Sequence, residues 1–118
     1  MRDFTAESTY PRDVRKWSSI YDMSLDGIDA NDTSLQERMN KGILSERKFT
    51  YGEVYFANFI PMLNFVAPRP SEKFYDLGCG TGKPLMIAAV AFPKLAFCKG
   101  IELLKDLAVE AKQVNEKF

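Results

Sequence analysis

Phe74-Tyr75-Asp76-Leu77-Gly78-Cys79-Gly80-Thr81-Gly82-Lys83-Pro84 is the stretch that decides the fold. Its first residues, with Lys73, form a short aromatic run that reads as a strand. Three glycines at every second position follow, a loop in which the backbone takes conformations other residues avoid. Pro84 then stands where the first helical position falls, a site that suits a residue with a fixed φ and no N–H. Leu85 to Phe92 is apolar on every face, so a deeply buried helix is expected there, stopped by Pro93. Leu95 to Ile101 reads as a second strand ending at Glu102. Leu104, Leu107, Ala108, Ala111, Val114 and Phe118 then follow helical spacing. The order strand, glycine loop, helix, strand, helix is a βαβα unit, which implies a parallel sheet with a right-handed crossover.

Spacing separates the ligand loops that share this layout. A nucleoside-triphosphatase loop needs G-x-x-x-x-G-K-[ST]. Gly78 and Gly82 are separated by three residues, and Pro84 stands where the magnesium-binding hydroxyl would be. That reading fails twice. A dinucleotide loop needs G-x-G-x-x-G. Here the third glycine comes one place early, which weakens that reading and leaves it open. The remaining pattern is an acid, Asp76, followed by G-x-G-x-G. Glu102 lies twenty-six residues after Asp76, at the end of the next strand. Two acids at adjacent parallel strand tips flank one crevice, the place where open α/β sheets bind ligands. A carboxylate at the second tip suits ribose hydroxyls. Cys79 is read as filling a small-residue slot, since no base is at hand to activate it. Lys83 is read as a solvated residue at the helix start.

Upstream, the signals are weaker. Residues 1 to 30 are polar, with Trp17, Ile20, Tyr21, Met23 and Leu25 scattered among Ser and Asp, and read as an irregular arm. Ser34-Leu-Gln-Glu37 reads as a capping box. It would start a helix running to about Ile43 or Leu44, with Leu35, Met39 and Ile43 (or Gly42) inward. Gly52 suggests a turn with special backbone angles. A helix is expected from Val54 to Val66 with Val54, Ala57, Ile60 (or Pro61) and Leu63 inward, kinked or shortened by Pro61. Pro68 to Ser71 reads as a rigid linker. The division expected is an N-terminal arm and helix over 1–49 and a partial βαβα domain over 50–118.

Composition removes several function classes. At 118 residues the chain is one domain at most. Sixteen basic residues balance sixteen acidic ones, so no global field favours nucleic acid or an anionic membrane. The Arg12, Arg15 and Lys16 patch is interrupted by Asp13. There is no histidine, which excludes Ser-His and Cys-His nucleophile systems and histidine metal sites. Two cysteines do not make a disulfide framework. The start of the chain lacks the apolar stretch of a secretory leader, and Pro84 to Pro93 is too short to span a bilayer. The expected compartment is cytoplasmic or nuclear.

Phe74 to Glu102 resembles the first motif and second acid of class I S-adenosylmethionine-dependent methyltransferases. Tyr51-Gly52-Glu53, a helix, then FYDLGCGTGKP is similar, more narrowly, to histone-lysine methyltransferases of the disruptor-of-telomeric-silencing type; their loop usually reads DLGSGVGQ. The resemblance covers about residues 50 to 118. It implies an α/β, Rossmann-like class I methyltransferase fold, here only its front half, preceded by a mainly helical segment. It implies S-adenosyl-L-methionine as cofactor, bound through Asp76, Gly78, Cys79, Gly80, Gly82 and Glu102. By analogy Thr50, Tyr51 and Glu53 line the methionine end, the alternative being a turn with an acid at a helix start. It further implies a protein substrate with a lysine acceptor and no membrane partner. A class I sheet normally has seven strands, and the fourth motif, with the residues near the transferred methyl, does not occur by Phe118. Catalytic residues are therefore unassigned. Two other readings stay open: a non-catalytic binding or interaction module, and a nucleotide-dependent oxidoreductase. A two-stranded parallel sheet leaves an unpaired edge, so self-association, segment exchange or marginal stability is expected.

Overall fold

The computed structural model describes residues 14–47 and 51–117. The elements are α1 (Val14–Leu25), α2 (Ala30–Asn40), α3 (Phe56–Val66), β1 (Lys73–Leu77), α4 (Lys83–Ala91), β2 (Phe97–Ile101) and α5 (Lys105–Lys117). β1 and β2 pair in parallel, Lys73 opposite Phe97 through Leu77 opposite Ile101. The aromatic run forms the strand expected of it, the second strand starts at Phe97 rather than Leu95, and α4 makes the crossover.

Strand alternation sets the two faces of the sheet. Phe74, Asp76, Cys98 and Gly100 point toward the helices and are half-buried. Phe74 and Cys98 meet a core of Tyr21, Phe56, Ile60, Leu63, Met86, Ile87, Ala88 and Val114. Each fully buried aliphatic side chain, Ile60, Ile87 and Val114 among them, contributes roughly 1.5–3 kcal/mol. On the opposite face Tyr75, Leu77, Phe97 and Ile101 are exposed. Tyr75 and Phe97 shield one another edge to face, with centroids 5.4 Å apart.

Four upstream expectations are corrected. Residues 14–25 form a helix rather than an irregular arm. Trp17, Ile20, Tyr21 and Leu25 carry helical spacing that the intervening Ser and Asp residues obscure. Residues 1–13 lie outside the described residues. Next, α2 starts at Ala30, not at Ser34, because Asp29 takes the N-cap and accepts from the Asp32 N–H at 3.1 Å. Ser34 and Glu37 lie inside the helix and are buried, while Leu35 and Met39 face solvent. The helix ends at Asn40, short of Ile43. Third, Gly52 has no positive φ. Last, α3 begins at Phe56 and buries Phe56, Ile60 and Leu63, leaving Ala57 exposed. It runs unbroken through Pro61.

α4 is buried through Met86, Ile87, Ala88 and Ala91, but Leu85 and Val90 are only half-buried and Ala89 is exposed. Its all-apolar surface is therefore covered on one side. α5 buries Leu107 and Val114, as their spacing predicts, with Leu104 buried just ahead of it. Phe118 lies outside the described residues.

Candidate functional site

The glycine loop is held open by backbone conformation and closed by two strand-end partners. Gly78, Gly80 and Gly82 have φ of 85°, 55° and 89°. A side chain at such angles costs roughly 1–2 kcal/mol. At Gly80 there is also no room: a Cβ would come within 2.7 Å of the Tyr51 ring. The N–H groups of Gly78 and Cys79 both donate to the Ile101 carbonyl, at 2.7 and 3.1 Å. That stitches the loop to the end of β2. Gly100 makes the approach possible, because a Cβ there would lie 2.5 Å from Cys79 Sγ and 2.7 Å from Leu85 Cδ1.

Glu102 closes the other side. Its Oε2 accepts from the Gly80 N–H and its Oε1 from the Leu104 N–H, each at 2.8 Å. Asp76 lies one residue before the end of β1, near enough to Glu102 for that charge to act on it. Burial, with the Glu102 charge second, holds its carboxyl above the usual carboxylate range. Its Oδ2 is buried without a hydrogen-bond partner. A buried, unpartnered carboxylate oxygen is costly, and a cationic or N–H donor would relieve it. The two acids thus stand at neighbouring strand ends, Asp76 within β1 and Glu102 directly after β2.

Tyr51 and Glu53 approach the loop from the segment before α3. Tyr51 donates to Glu53, and Tyr21 of α1 donates to the same Glu53 Oε1 at 3.2 Å. Thr81 Oγ1 lies in hydrogen-bond contact with Tyr21 and 3.4 Å from the Tyr51 hydroxyl. Each phenol has one proton. With both directed to Glu53, the Thr81 hydroxyl is the donor to Tyr21. Burial and the neighbouring Glu53 push both phenols well above the ordinary tyrosine value, so they remain donors. Thr50 lies outside the described residues.

Lys83 corrects the sequence reading. It is buried rather than solvated, with its Nζ 3.6 Å from Glu53 Oε2. The ammonium also stands over the rings of Tyr21, Phe56 and Tyr55 at 5.2, 5.6 and 5.7 Å. One carboxylate and three ring faces offset its desolvation. Cys79 behaves as its small-residue reading requires. Burial, then the charges of Asp76 and Glu102, push its thiol up to about 11, which keeps it protonated.

Three participants carried no usable local signal. Tyr21 reaches Thr81 across sixty residues of sequence. Gly100 looks like an ordinary strand residue until its neighbours are seen. Glu37 works outside its own helix: its two oxygens accept from the N–H groups of Lys105 and Asp106 at 2.8 and 2.9 Å, capping α5. Desolvation is the largest influence on the Glu37 carboxyl and acts upward. The bonds from Lys41, Asp106 and Lys105 outweigh it and hold the group below its ordinary value.

Among the described residues no cluster of Cys, Asp and Glu is arranged to hold a metal ion. No helix among them is long and apolar enough to cross a membrane. A family model described as histone methylation protein DOT1 matches residues 36–118, well over half of the chain. Neither curated proteins nor solved structures gave a match.

Proposed function

This chain belongs to the DOT1 family of histone methylation proteins, and from that premise we propose that it forms the S-adenosyl-L-methionine-binding part of a methyltransferase acting on protein lysine in the nucleus, with a Rossmann-like fold. The observation that carries the reading is a positive-φ glycine loop, Gly78–Gly82, whose Gly80 N–H is held by Glu102 and which follows a strand carrying an unpartnered Asp76 oxygen.

The residues suit such a cofactor. Asp76 offers negative charge to an ammonium or sulfonium. Glu102 keeps lone pairs beyond its two backbone donors, enough to accept ribose hydroxyls. Gly78, Gly80 and Gly82 let the main chain close on a ligand where a side chain would collide. The Tyr51 ring lies over Gly80 and excludes water from that side. When bound, the cofactor supplies a methyl on a sulfonium, already activated as a leaving group. The chain's own work is then to position both partners and keep water out. An acceptor lysine must arrive as the neutral amine. Cys79 is protonated and the chain has no histidine, so no described residue stands out as a base. An apolar wall around the acceptor would favour that form by lowering the amine pKa.

Isothermal titration of the full chain with S-adenosylhomocysteine and with NAD tests the reading. Binding of the first and not the second is expected. The reverse would move the chain to the nucleotide-dependent oxidoreductases. A methyl-transfer assay on histones then separates an active enzyme from a binding module.

A further inference from the structure

We propose that Tyr21, on α1, is a positioning residue for the glycine loop, so that the first described helix sets the affinity of the crevice it does not itself line. The proposal rests on the cofactor reading above. Gly78, Gly80 and Gly82 have no side chains to fix them, and the loop is held through its backbone, by the Ile101 carbonyl and the Glu102 carboxylate. Thr81 carries the one hydroxyl between these glycines, and it is 1% exposed. Its Oγ1 is in contact with the Tyr21 hydroxyl. The same phenol donates to Glu53 at 3.2 Å, and Glu53 also binds Tyr51, the ring that covers Gly80. One hydroxyl thus ties the loop to the segment that closes over it.

A packing role alone does not explain a tyrosine here. Tyr21 is fully buried, and a buried hydroxyl costs free energy unless it is bonded. Phenylalanine would fill the same volume without that cost. The phenol is satisfied entirely by the two loops that flank the crevice. α1 is in turn fixed to α3 through the Tyr21–Phe56 ring contact, with centroids 6.3 Å apart, and Leu25 packs against the same core. The hydroxyl therefore joins α1 to the one hydroxyl-bearing side chain of a loop otherwise held through its backbone.

The test measures the dissociation constant of S-adenosylhomocysteine for the full chain, well below each variant's melting temperature. Tyr21→Phe should bind about 10-fold more weakly, and Thr81→Val should match it. The double variant should be no weaker than either single, because both remove one linkage. Thr81→Ser, which keeps the hydroxyl, should bind like wild type. Leu25→Ala should lower the melting temperature and leave the affinity unchanged. Equal affinity for wild type and Tyr21→Phe, or additive losses in the double variant, would overturn the proposal. So would a loss in Leu25→Ala equal to that in Tyr21→Phe. If Tyr21→Phe does not fold, the Thr81→Val and Thr81→Ser pair decides alone. Wild type failing to bind at all would overturn the cofactor reading, and this inference with it.

Discussion

Each strand of the sheet leads into a helix, and the two helix starts are finished in opposite ways. At α5 the orphan N–H groups are taken by side chains: Leu104 donates to Glu102, and Lys105 and Asp106 donate to Glu37. At α4 the N-cap is Gly82, which gives no side-chain cap, and the loop before it has only glycine, cysteine and threonine. Helix starts need partners for their N–H groups. The chain supplies them at α5 from a buried glutamate of another helix, and at α4 it provides no side-chain cap. The first is a structural joint. The second is a helix start that no side chain caps, next to the glycine loop to which the cofactor proposal assigns the ligand.

Breaking the joint should have the largest effect on stability. Glu37→Ala removes two caps and an ion pair to Lys41, and should destabilise the fold by about 2 kcal/mol, read as a lower melting temperature. The folded pKa of Glu37 is lowered, so its contribution is present above the unfolded carboxylate value and is lost as pH falls through the folded one. The gap between wild type and variant should narrow in acid.

The bare end should respond in the opposite sense. Asp76 has a raised folded pKa, so its stabilising contribution is complete below the unfolded value and is lost as pH rises through the folded one. Asp76→Asn should therefore melt higher than wild type at about pH 7 and like it at about pH 3. It should also bind S-adenosylhomocysteine more weakly. Gaining stability while losing affinity marks a residue kept for a ligand. A variant that loses both would assign Asp76 to the fold.

The smallest effect sharpens what counts as structural. Ser34 lies on the buried face of α2, one turn from Glu37, and its hydroxyl has no partner. Ser34→Ala should be neutral or stabilising, within about 1 kcal/mol by thermal melt. A large loss would mean that this face depends on the hydroxyl in a way its bonding does not indicate.

The same contrast explains what the sequence made legible. β1, the glycine loop, α4, β2 and α5 follow from local rules: a strand-like run, positive φ at glycine, proline at a helix start, apolar spacing. Asp76 and Glu102 come to neighbouring strand ends because parallel pairing of adjacent strands brings their tips together whatever surrounds them. Glu37 is no part of a capping box, because its partners are sixty-eight and sixty-nine residues away. Asp29, the cap that α2 uses, lies five residues before the serine chosen. The burial of Lys83 escapes local rules for a related reason. A lysine at a helix start is normally solvated, and the three rings and the carboxylate that bury it come from α1 and the segment entering α3. Local periodicity specifies elements. It does not specify which side chain reaches across to another element.

The most direct test follows the backbone amides of the full chain by NMR during addition of S-adenosylhomocysteine. The account predicts saturable shifts at Gly78 to Gly82 and Glu102, with Lys105 and Asp106 unmoved because Glu37 already holds them. Shifts centred on the first turn of α5, or a glycine loop that answers to NAD instead, would contradict it.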